Sequence, residues 1–359
     1  MKLVSIVSAR PNFIKLAGVY HALKESGKSD VEHIVVHTGQ HHDPIFSDIF
    51  FKELNLPEPE VNLNVQSNGD NRDTAERTKQ ACIPVLQKIQ PDVVLVYGDV
   101  SGALGGAWSA HDLNIKLGHI ESGLRSFDET MPEEKNRKEI DNLANLLFVT
   151  EKSGVENLVH EGITENVHFV GNTMIDTLVR MKPVIEKQSL PEGLPEKYGV
   201  VTLHRPGNVD NKSALELSFA FLSGVASKFP LVFPMHLRTK SALEEHGMSH
   251  SFSKDIKVLG PLGYLAFLRL VQGSSFVLTD SGGIQEETVF LGKKCFTLRK
   301  NTERPSTIDA KSNELINMRD EKDFKRVLVF CAKPKDPVVK VPEFWDGHAG
   351  ERISDILVK

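Results

Sequence analysis

Short apolar runs rich in valine, isoleucine and leucine alternate along this chain with longer segments of helical periodicity. This alternation is typical of a parallel sheet in which a crossover helix joins each strand to the next. In the first half, the predicted strands are 2–8, 33–37, 92–97, 117–120 and 146–150. The segment 12–25 has the spacing of a helix that begins near Pro11. The pattern therefore predicts the α/β fold class.

A second series of strands follows the polar, proline-bearing stretch 187–198, at 199–203, 231–236, 276–279 and 294–298. The length of 359 residues fits about two domains at roughly 150 residues each. We therefore expect two doubly wound, Rossmann-like lobes with a cleft between them. The predicted boundaries are 1–171 for the first lobe, 172–345 for the second and 346–359 for a final helical segment. The stretch 57–73 is predicted to be a polar loop.

The charge balance and the cysteine content narrow the classes of partner. The chain has 43 basic and 48 acidic side chains, and its net charge of −5 gives no general field for nucleic acid or anionic lipid. Cys82, Cys295 and Cys331 have neither CxxC nor zinc-site spacing. The opening apolar run stops at Arg10, and no run approaches the ~18 residues of a membrane span. We expect a cytoplasmic protein that binds neither nucleic acid nor membrane.

Several cofactor motifs are absent from the sequence. No two of the 26 glycines are separated by a single residue, which removes the dinucleotide fingerprint GxGxxG. The nucleophile elbow GxSxG is also absent, because no two glycines that are four positions apart have a serine midway between them. The Gly-Lys pairs at 27–28 and 292–293 lack the upstream glycine of a Walker A loop. His37, His41 and His42 lack the spacing of a metal site on a helix. We expect no cofactor and no metal.

Charged residues follow the predicted strands of the first half. Arg10 and Lys15 come after the first strand, where they could bind a diphosphate at a helix N-terminus or remain solvated cations. Asp99 follows the third strand and Glu121 the fourth. Because parallel strands end at one ligand-binding edge of a sheet, we expect these two carboxylates to lie close together. Such a pair would suit proton transfer.

A third acidic group, Glu133 and Glu134 with Arg137, comes just before a predicted helix. Neighbouring carboxylates push their pKa values apart, which suits acid and base roles. Negative charge is also favoured in the first turn of a helix without any catalytic purpose. We expect this structural role for Glu134.

The segment DSGGIQEE at 280–287 carries the strongest local signal in the second half. Ser281, Gly282 and Gly283 join a strand to a helix, and the small side chains would let backbone amides approach a phosphate closely. Glu286 and Glu287 follow in the first turn of that helix. One of them could serve the helix dipole while the other binds a ribose hydroxyl.

Together these segments resemble the non-hydrolysing UDP-N-acetylglucosamine 2-epimerases, a family with the two-lobed GT-B fold. The resemblance covers nearly the whole chain and rests on many segments in the same order. They are ARPNFIK at 9–15, HTGQHHD at 37–43, VYGDV at 96–100, GHIESGLRS at 118–126, MPEEKNR at 131–137, VGNTMIDTL at 170–178, TLHR at 202–205, LTDSGGIQEE at 278–287 and TERP at 302–305.

The resemblance implies which residues act. By it, the substrate contacts fall on Arg10, Lys15, Arg137, His204, Phe267, Ser281, Gly282, Gly283, Glu287 and Arg304, and the catalytic residues on Asp99, Glu121, Glu133 and His204. It also implies that the first lobe carries the acidic residues, that the second binds UDP, and that the final helix packs back on the first. Finally, the resemblance implies a UDP-sugar substrate, a homodimer and a role in polysaccharide biosynthesis.

The chemistry of this family needs no nicotinamide. The C2 hydrogen of an N-acetylhexosamine does not lie next to a carbonyl, so direct deprotonation is prohibitive. Loss of UDP from C1 builds oxocarbenium character, which makes the C2 proton acidic and yields a 2-acetamidoglucal. Carboxylates then return the proton to the other face. Arg10, His204 and the amides of 281–283 would stabilise the departing diphosphate.

The chain departs from the family pattern at Val100-Ser101-Gly102, His204-Arg205-Pro206-Gly207, Ser306 and Lys311. These positions lie near the sugar, so a UDP-2,3-diacetamido uronic acid stays open as substrate beside UDP-N-acetylglucosamine. A GT-B glycosyltransferase, a hydrolysing epimerase and an inactive UDP-sugar binder are the further alternatives. Three acidic segments at one edge favour an epimerase over a glycosyltransferase.

Some bacterial members of the family have an activator site for UDP-N-acetylglucosamine on a Gln-His-x-Gln segment. Here Gln40 and His41 match that segment, but Asp43 replaces its second glutamine. Arg77 and His236 are candidates for other contacts of that site. We expect weak or absent activation.

Overall fold

A computed structural model of the chain describes residues 1–27, 30–39, 44–248 and 253–358, with the backbone alone at 44–48. Two compact units make up the structure, Met1–Met181 with Pro342–Lys359 and Lys182–Val341. Gln40, His41, His42 and Asp43 lie outside the described residues, so the expectations about metal binding and about the activator segment stay predictions.

The first unit is built on a parallel sheet. In the described residues its strands are β1 (Lys2–Val7), β2 (Glu32–His37), β3 (Val61–Asn62), β4 (Val93–Tyr97), β5 (Lys116–Ser122), β6 (Leu146–Val149) and β7 (Val167–Phe169). They lie in the order β3-β2-β1-β4-β5-β6-β7. The five strands predicted for this half are confirmed as β1, β2, β4, β5 and β6, and the parallel α/β class is confirmed with them.

The helices of this unit are α1 (Arg10–Glu25), α2 (Pro44–Glu53), α3 (Asn71–Ile89), α4 (Ser101–Asp112), α5 (Pro132–Leu143), α6 (Lys152–His160), α7 (Thr173–Glu186, which ends beyond Met181) and α15 (Ala349–Leu357). Apolar side chains of β1 and β4 form the centre of the core, with Val4, Ile6, Val94 and Val96 almost wholly buried. A strand buried on both faces reads as a continuous apolar run, which is why the sequence identifies these strands.

The loop prediction for 57–73 is wrong at both ends. Val61 and Asn62 pair with β2 as a short edge strand, and helix α3 begins at Asn71. The side chain of Asp70 caps that helix by accepting hydrogen bonds from the N–H groups of Arg72 and Asp73. A two-residue strand among polar residues has too little alternation to be recognised from sequence.

The second unit is built on a parallel sheet of its own. Its described strands are β8 (Gly199–Thr202), β9 (Leu231–Pro234), β10 (Ile256–Leu259), β11 (Phe276–Thr279), β12 (Lys294–Thr297) and β13 (Asn313–Leu315), in the order β10-β9-β8-β11-β12-β13. Its helices are α8 (Pro206–Val209), α9 (Lys212–Ala226), α10 (Leu237–Glu245), α11 (Tyr264–Gly273), α12 (Gly282–Leu291), α13 (Pro305–Asp309) and α14 (Glu321–Ala332). The four predicted strands are confirmed as β8, β9, β11 and β12. The edge strands β10 and β13, like β7, were not predicted because they are short and partly exposed.

Helix α15 packs against α1 in the first unit. A Cβ atom on Gly350 would lie 2.3 Å from the carbonyl oxygen of Gly18, so the two backbones touch without room for a side chain. The Asp176 carboxylate accepts hydrogen bonds from the N–H groups of Ala349 (3.1 Å) and Gly350 (2.6 Å) at the start of α15. Burial raises the pKa of Asp176 to about 6, against the opposing effect of these two hydrogen bonds.

The division between the units differs from the predicted boundaries. It falls after Met181 rather than at 171, because the first half of α7 packs on α1. There, the Thr177 hydroxyl donates a hydrogen bond to the carbonyl of Ile14 at 2.7 Å. The chain rejoins the first unit at Pro342, ahead of the predicted 346. Trp345 donates a hydrogen bond to the Thr150 carbonyl at 2.9 Å.

Among the described helices, none combines the length and apolar character that a membrane span requires. Cys82, Cys295 and Cys331 are buried free thiols.

Candidate active site

The carboxyl edge of the first sheet is tied together by Asn12. Its side-chain oxygen accepts hydrogen bonds from the N–H groups of Ser8 (3.0 Å) and Ala9 (3.1 Å), where β1 turns into α1. Its amide nitrogen donates to the carbonyl of Tyr97 (2.8 Å) at the end of β4. This buried residue, which was not singled out from the sequence, fixes the loop before Arg10 against the loop before Asp99.

Lys15 and Glu121 form a buried ion pair at this edge. The Lys15 ammonium donates a hydrogen bond to Glu121 Oε2, and each side chain is only 5% exposed. A Cβ atom on Gly98 would lie 2.9 Å from Glu121 Oε2 and 3.0 Å from Lys15 Nζ, and Gly98 also has a φ of +65°. Glycine is therefore required where the chain leaves β4. The predicted contact of Lys15 with a diphosphate stays a prediction.

The backbone of Glu121 is strained. Its φ is +72°, in the left-handed region that glutamate rarely adopts, and the β5–β6 pairing shifts register between Ile120 and Ser122. Such a conformation costs on the order of 1–3 kcal/mol and persists where surrounding contacts impose it, as they often do in active sites. The irregularity directs the Glu121 side chain to Lys15.

Arg137 joins two carboxylates. Its guanidinium donates to Asp99 Oδ2 and to Glu134 Oε2, while its own side chain is 4% exposed. Asn136, next to it on α5, donates a hydrogen bond to the Asp99 carbonyl at 2.9 Å. Arg137 thus pairs with two carboxylates at this edge, whereas its contact with substrate stays a prediction.

Glu134 has a structural role. Its carboxylate accepts hydrogen bonds from the N–H (2.8 Å) and hydroxyl (2.7 Å) of Ser126 and from the N–H of Phe127 (3.2 Å). Burial alone would raise the pKa of Glu134, but the hydrogen bonds from Ser126, the charge of Arg137 and the hydrogen bond from Phe127 together lower it. This ionised group shapes the loop that leads into α5, in agreement with the structural role expected for it.

Glu133 and Arg10 complete the charged residues of this edge. Glu133 is half-buried in the first turn of α5, directly before Glu134. Arg10 is the first residue of α1, and its guanidinium lies 5.6 Å from the centre of the Phe50 ring. The first unit therefore places Asp99 and Glu121 at the ends of the neighbouring strands β4 and β5, where Lys15 of α1 and Arg137 of α5 pair with them.

Beneath these groups lies a buried polar cluster that sequence reasoning missed. The His119 Nδ1 atom is 2.6 Å from Asp141 Oδ1, and its Nε2 atom is 2.9 Å from the Gly98 carbonyl oxygen. Asp141 Oδ2 accepts from the Gly123 N–H at 3.1 Å and from Arg125 at 2.8 Å. The sequence signal that could have identified the cluster is His119, a polar residue inside the predicted strand 117–120 and within the matched segment 118–126.

In the second unit, Asp280 holds the residues that follow β8. This fully buried carboxylate accepts hydrogen bonds from the N–H groups of His204 (3.1 Å) and Arg205 (2.8 Å) and from the side chain of Asn208 (3.1 Å). The Nδ1 atom of His204 lies 3.3 Å from Asp280 Oδ1, and its imidazole is 34% exposed. His236 packs on that ring, with 5.3 Å between centroids. Asp280 thus sets the orientation of His204.

Helix α12 begins at the end of β11. Ser281 occupies the N-cap position, but its side chain makes no capping hydrogen bond. A Cβ atom on Gly282 would lie 2.6 Å from the Arg304 guanidinium, so a larger residue at this first helical position would displace that side chain. The first-turn N–H groups of a helix, here including Gly283, have no partner within the helix and favour an anion. This part of the unit can bind a phosphate group.

Arg304 is enclosed by carboxylates. Its guanidinium donates to Glu303 and lies 3.0 Å from Glu286 Oε2, and the residue is 7% exposed. The predicted nucleotide contact of Arg304 stays a prediction. In this structure its contacts hold Glu286 and the start of α12.

Glu287 differs from these ionised groups. Burial, together with the charge of Glu286, raises its pKa to about 8, although a hydrogen bond with Tyr264 opposes the shift. Its carboxyl is therefore largely protonated at neutral pH and can donate a hydrogen bond. Phe267, on α11 with Tyr264, is half-buried and packs with the apolar residues beneath that helix.

Two parallel sheets with crossover helices and polar residues at their carboxyl edges define an α/β protein of the GT-B class. The sequence profile of the family described as UDP-N-acetylglucosamine 2-epimerase matches residues 22–358. The chain therefore belongs to the UDP-N-acetylglucosamine 2-epimerase family, whose members are isomerases.

Individual relatives cover the whole chain. A UDP-N-acetylglucosamine 2-epimerase of Methanocaldococcus jannaschii is 39% identical over 99% of both chains. A UDP-2,3-diacetamido-2,3-dideoxy-D-glucuronate 2-epimerase of Pseudomonas aeruginosa is 34% identical over 100% of both. The crystal structure of the Methanocaldococcus jannaschii UDP-GlcNAc 2-epimerase in complex with UDP-GlcNAc and UDP matches with a TM-score of 0.91 and 38% identity. That match covers 100% of this chain and 99% of the other.

Proposed function

We propose that this protein interconverts UDP-N-acetylglucosamine and UDP-N-acetylmannosamine by elimination and re-addition of UDP. The observation that carries the proposal is the buried edge of the first sheet. There, Glu121 and Asp99 are each paired with a cation, Lys15 and Arg137 respectively. A carboxylate held at the sugar can accept a proton and later return it. The family of the chain supports the same reaction.

The reaction conserves all atoms and electrons. The bond between C1 of the sugar and the diphosphate oxygen breaks with its electron pair on UDP, and a carboxylate takes the C2 proton, which leaves a C1=C2 double bond in 2-acetamidoglucal. A proton then adds to the opposite face of C2, and the diphosphate oxygen re-forms its bond to C1. No oxidant is needed.

We assign proton transfer to the first unit. Glu121, Asp99 and Glu133 are the candidates for the groups that carry the proton. Glu121 is the first choice, because its hydrogen bond with Lys15 and its strained backbone fix the direction of its carboxylate. Lys15 and Arg137 would also favour negative charge that develops on the substrate.

We assign the diphosphate and the nucleoside to the second unit. The first-turn amides at Gly282 and Gly283 and the side chains of Ser281 and His204 can donate to the departing diphosphate. Asp280 would keep His204 oriented for this purpose. Glu287 suits a ribose hydroxyl, since a largely neutral carboxyl both donates and accepts hydrogen bonds. Phe267 offers an aromatic face for the base.

The decisive experiment is proton NMR of UDP-N-acetylglucosamine incubated with the protein in deuterated water. The proposal expects loss of the C2 proton signal together with a new manno anomer. Retention of the C2 proton at every time point would contradict it. Release of free N-acetylmannosamine instead of its UDP derivative would identify a hydrolysing enzyme.

A second candidate substrate is a UDP-2,3-diacetamido uronic acid. It is favoured by the relative named for that sugar, which aligns over the full length of this chain, and by the departures at 100–102 and 204–207. Parallel assays of the two sugar nucleotides decide between them, and we expect the higher kcat/KM with UDP-N-acetylglucosamine.

We further infer that the protein acts as a cytoplasmic homodimer, on the basis of its family. Sedimentation at micromolar concentration should give twice the mass of the chain. A particle with the mass of one chain would contradict the dimer without affecting the proposed reaction.

A further inference from the structure

The cluster beneath the first sheet edge is placed to control both carboxylates at once. Asp141 reaches the residue two positions before Glu121, which is His119, and the residue two positions after it, which is Gly123. Glu121 itself has the left-handed φ of +72°. Two oxygens of a single side chain therefore bind the strand on both sides of the strained residue.

The same cluster holds the turn before Asp99. The Gly98 N–H donates to the Ile120 carbonyl at 2.9 Å, and the Gly98 carbonyl oxygen lies 2.9 Å from His119 Nε2. Both polar backbone groups of Gly98 are thus bound by β5. Asp99 follows directly in the chain, so its position depends on the His119 ring.

The hydrogen bonds fix the orientation of the His119 ring. A carbonyl oxygen only accepts, so Nε2 carries a hydrogen toward Gly98. The Nδ1 atom faces Asp141 Oδ1 at 2.6 Å, while Asp141 Oδ2 binds Gly123 and Arg125. Both ring nitrogens of this fully buried side chain therefore have a partner.

The cluster extends from Asp141 to Arg125. The Arg125 guanidinium lies 2.8 Å from Asp141 Oδ2 and donates two hydrogen bonds to Glu161 at 2.6 Å and 2.8 Å. A buried polar network whose members are all satisfied is rigid, whereas one that loses a member is strongly destabilised. The cluster is therefore suited to hold a precise geometry.

We propose that His119 and Asp141 are positioning residues that fix Glu121 and Asp99 relative to each other for proton transfer at the sugar. This inference rests on the proposed function. Neither residue contacts the substrate in this scheme. They act through the backbone of Gly98 and of residues 119–123, and a misplacement of about 1 Å at reacting groups is enough to lower a rate by roughly 100-fold.

Two substitutions divide the contacts of the ring. The amide nitrogen of His119→Gln can replace Nε2 toward Gly98, and that of His119→Asn can replace Nδ1 toward Asp141. Each variant keeps one hydrogen bond and loses the other. We expect kcat with UDP-N-acetylglucosamine to fall by about 10- to 100-fold in both. KM and the Kd of UDP should stay within about threefold, because UDP is assigned to residues of the other unit.

His33→Gln is the matched control. His33 is a partly buried histidine of the same sheet, with Nε2 2.7 Å from the Ser5 hydroxyl, but it lies at the opposite end of the strands. The kcat of this variant should stay within about twofold of the wild type. A fall in kcat equal to that of the His119 variants would mean that loss of any hydrogen-bonded histidine of the sheet has this effect, and would overturn the positioning role.

A measurement on the unaltered protein covers the case in which the variants do not fold. Nitrogen-15 NMR of protein labelled at histidine should find a hydrogen on Nε2 of His119, the atom that faces the Gly98 carbonyl. An Nε2 without a hydrogen would overturn the proposal, as would folded His119 variants with wild-type kcat. Failure of the wild type to exchange the C2 proton would instead defeat the proposed function, so the two failures are distinguishable.

Discussion

The two sheet edges carry their charge in different ways. In the first unit, Glu121 lies against Lys15 and Asp99 against Arg137, so each carboxylate has a cation as its partner. In the second unit, helix α12 begins without a side-chain cap, and the pKa of Glu287 on that helix rises to about 8. The first edge thus pairs its carboxylates with cations. At the second edge, protonation of Glu287 lowers the negative charge near a helix N-terminus that could bind an anion.

The comparison teaches that burial alone does not decide the state of a carboxyl group. Glu134 and Glu287 are both buried, yet the pKa of one is lowered and that of the other is raised. The difference lies in the hydrogen bonds from Ser126 and the charge of Arg137 in one case and in the neighbouring Glu286 in the other. The donors around the group determine its charge.

Glu121→Gln should have the largest effect. It removes the group assigned to proton transfer, so we expect kcat to fall by about 1,000-fold. The Kd of UDP should change by less than about threefold. Glu156→Gln, at an exposed position on α6, is the matched control and should retain full activity. Wild-type turnover by Glu121→Gln would remove this residue from the mechanism.

Arg137→Met should destabilise the first unit. It leaves Glu134 buried without its guanidinium partner, which costs about 3–5 kcal/mol of unfolding free energy. Arg180→Met is the comparison, because the Arg180–Glu25 pair is exposed and worth at most about 1 kcal/mol. Urea titration of both variants measures the difference. Equal losses would mean that burial of the ion pair is unimportant.

Glu287→Gln should change how stability depends on pH. Because the folded-state pKa of about 8 exceeds the ordinary 4.5, the group costs no stability below about pH 4.5 and progressively more as the pH rises toward 8. Between about pH 5.5 and pH 8.5, the ligand-free wild type should lose about 3 kcal/mol relative to the variant. Urea titrations at the two pH values measure this. A constant difference between the proteins would contradict the raised pKa.

Asp176→Ala should have the smallest effect, because it removes only the acceptor for the first N–H groups of α15. Loss of such a cap costs about 1–2 kcal/mol. Hydrogen exchange of the amides in α15 should quicken, while the amides of α6 serve as the internal reference. Unchanged exchange in α15 would show that its packing on α1 suffices without the carboxylate.

The sequence predicts the central strands well, because strands buried on both faces, such as β1 and β4, are continuous apolar runs. Edge strands such as β3 form by pairing with a strand that is distant in the chain. A short segment has too few residues to show the alternation of apolar and polar side chains that would identify it as a strand. Aspartate is a common N-cap residue, as Asp70 is for α3. Because Asp70 falls within the predicted loop 57–73, the start of this helix is not predicted from the sequence.

For the site, the expectation that parallel strands end at one edge of the sheet correctly places Asp99 and Glu121 at the ends of neighbouring strands. It does not predict that Lys15 would pair with Glu121, because that contact depends on the left-handed backbone and on the space left by Gly98. Asn12, Asp280 and the cluster around His119 act through backbone groups. Backbone contacts between distant segments leave little pattern in a single sequence.

Gly98 has a consequence for how this protein tolerates change. The position carries no functional group, yet a single added methyl would meet both the ammonium of Lys15 and the carboxylate of Glu121. In a mutational scan, position 98 should therefore rank among the least permissive, with alanine as harmful as larger residues. Intolerance there would report on the left-handed backbone and on the space that two opposite charges need, not on a functional group of the residue itself.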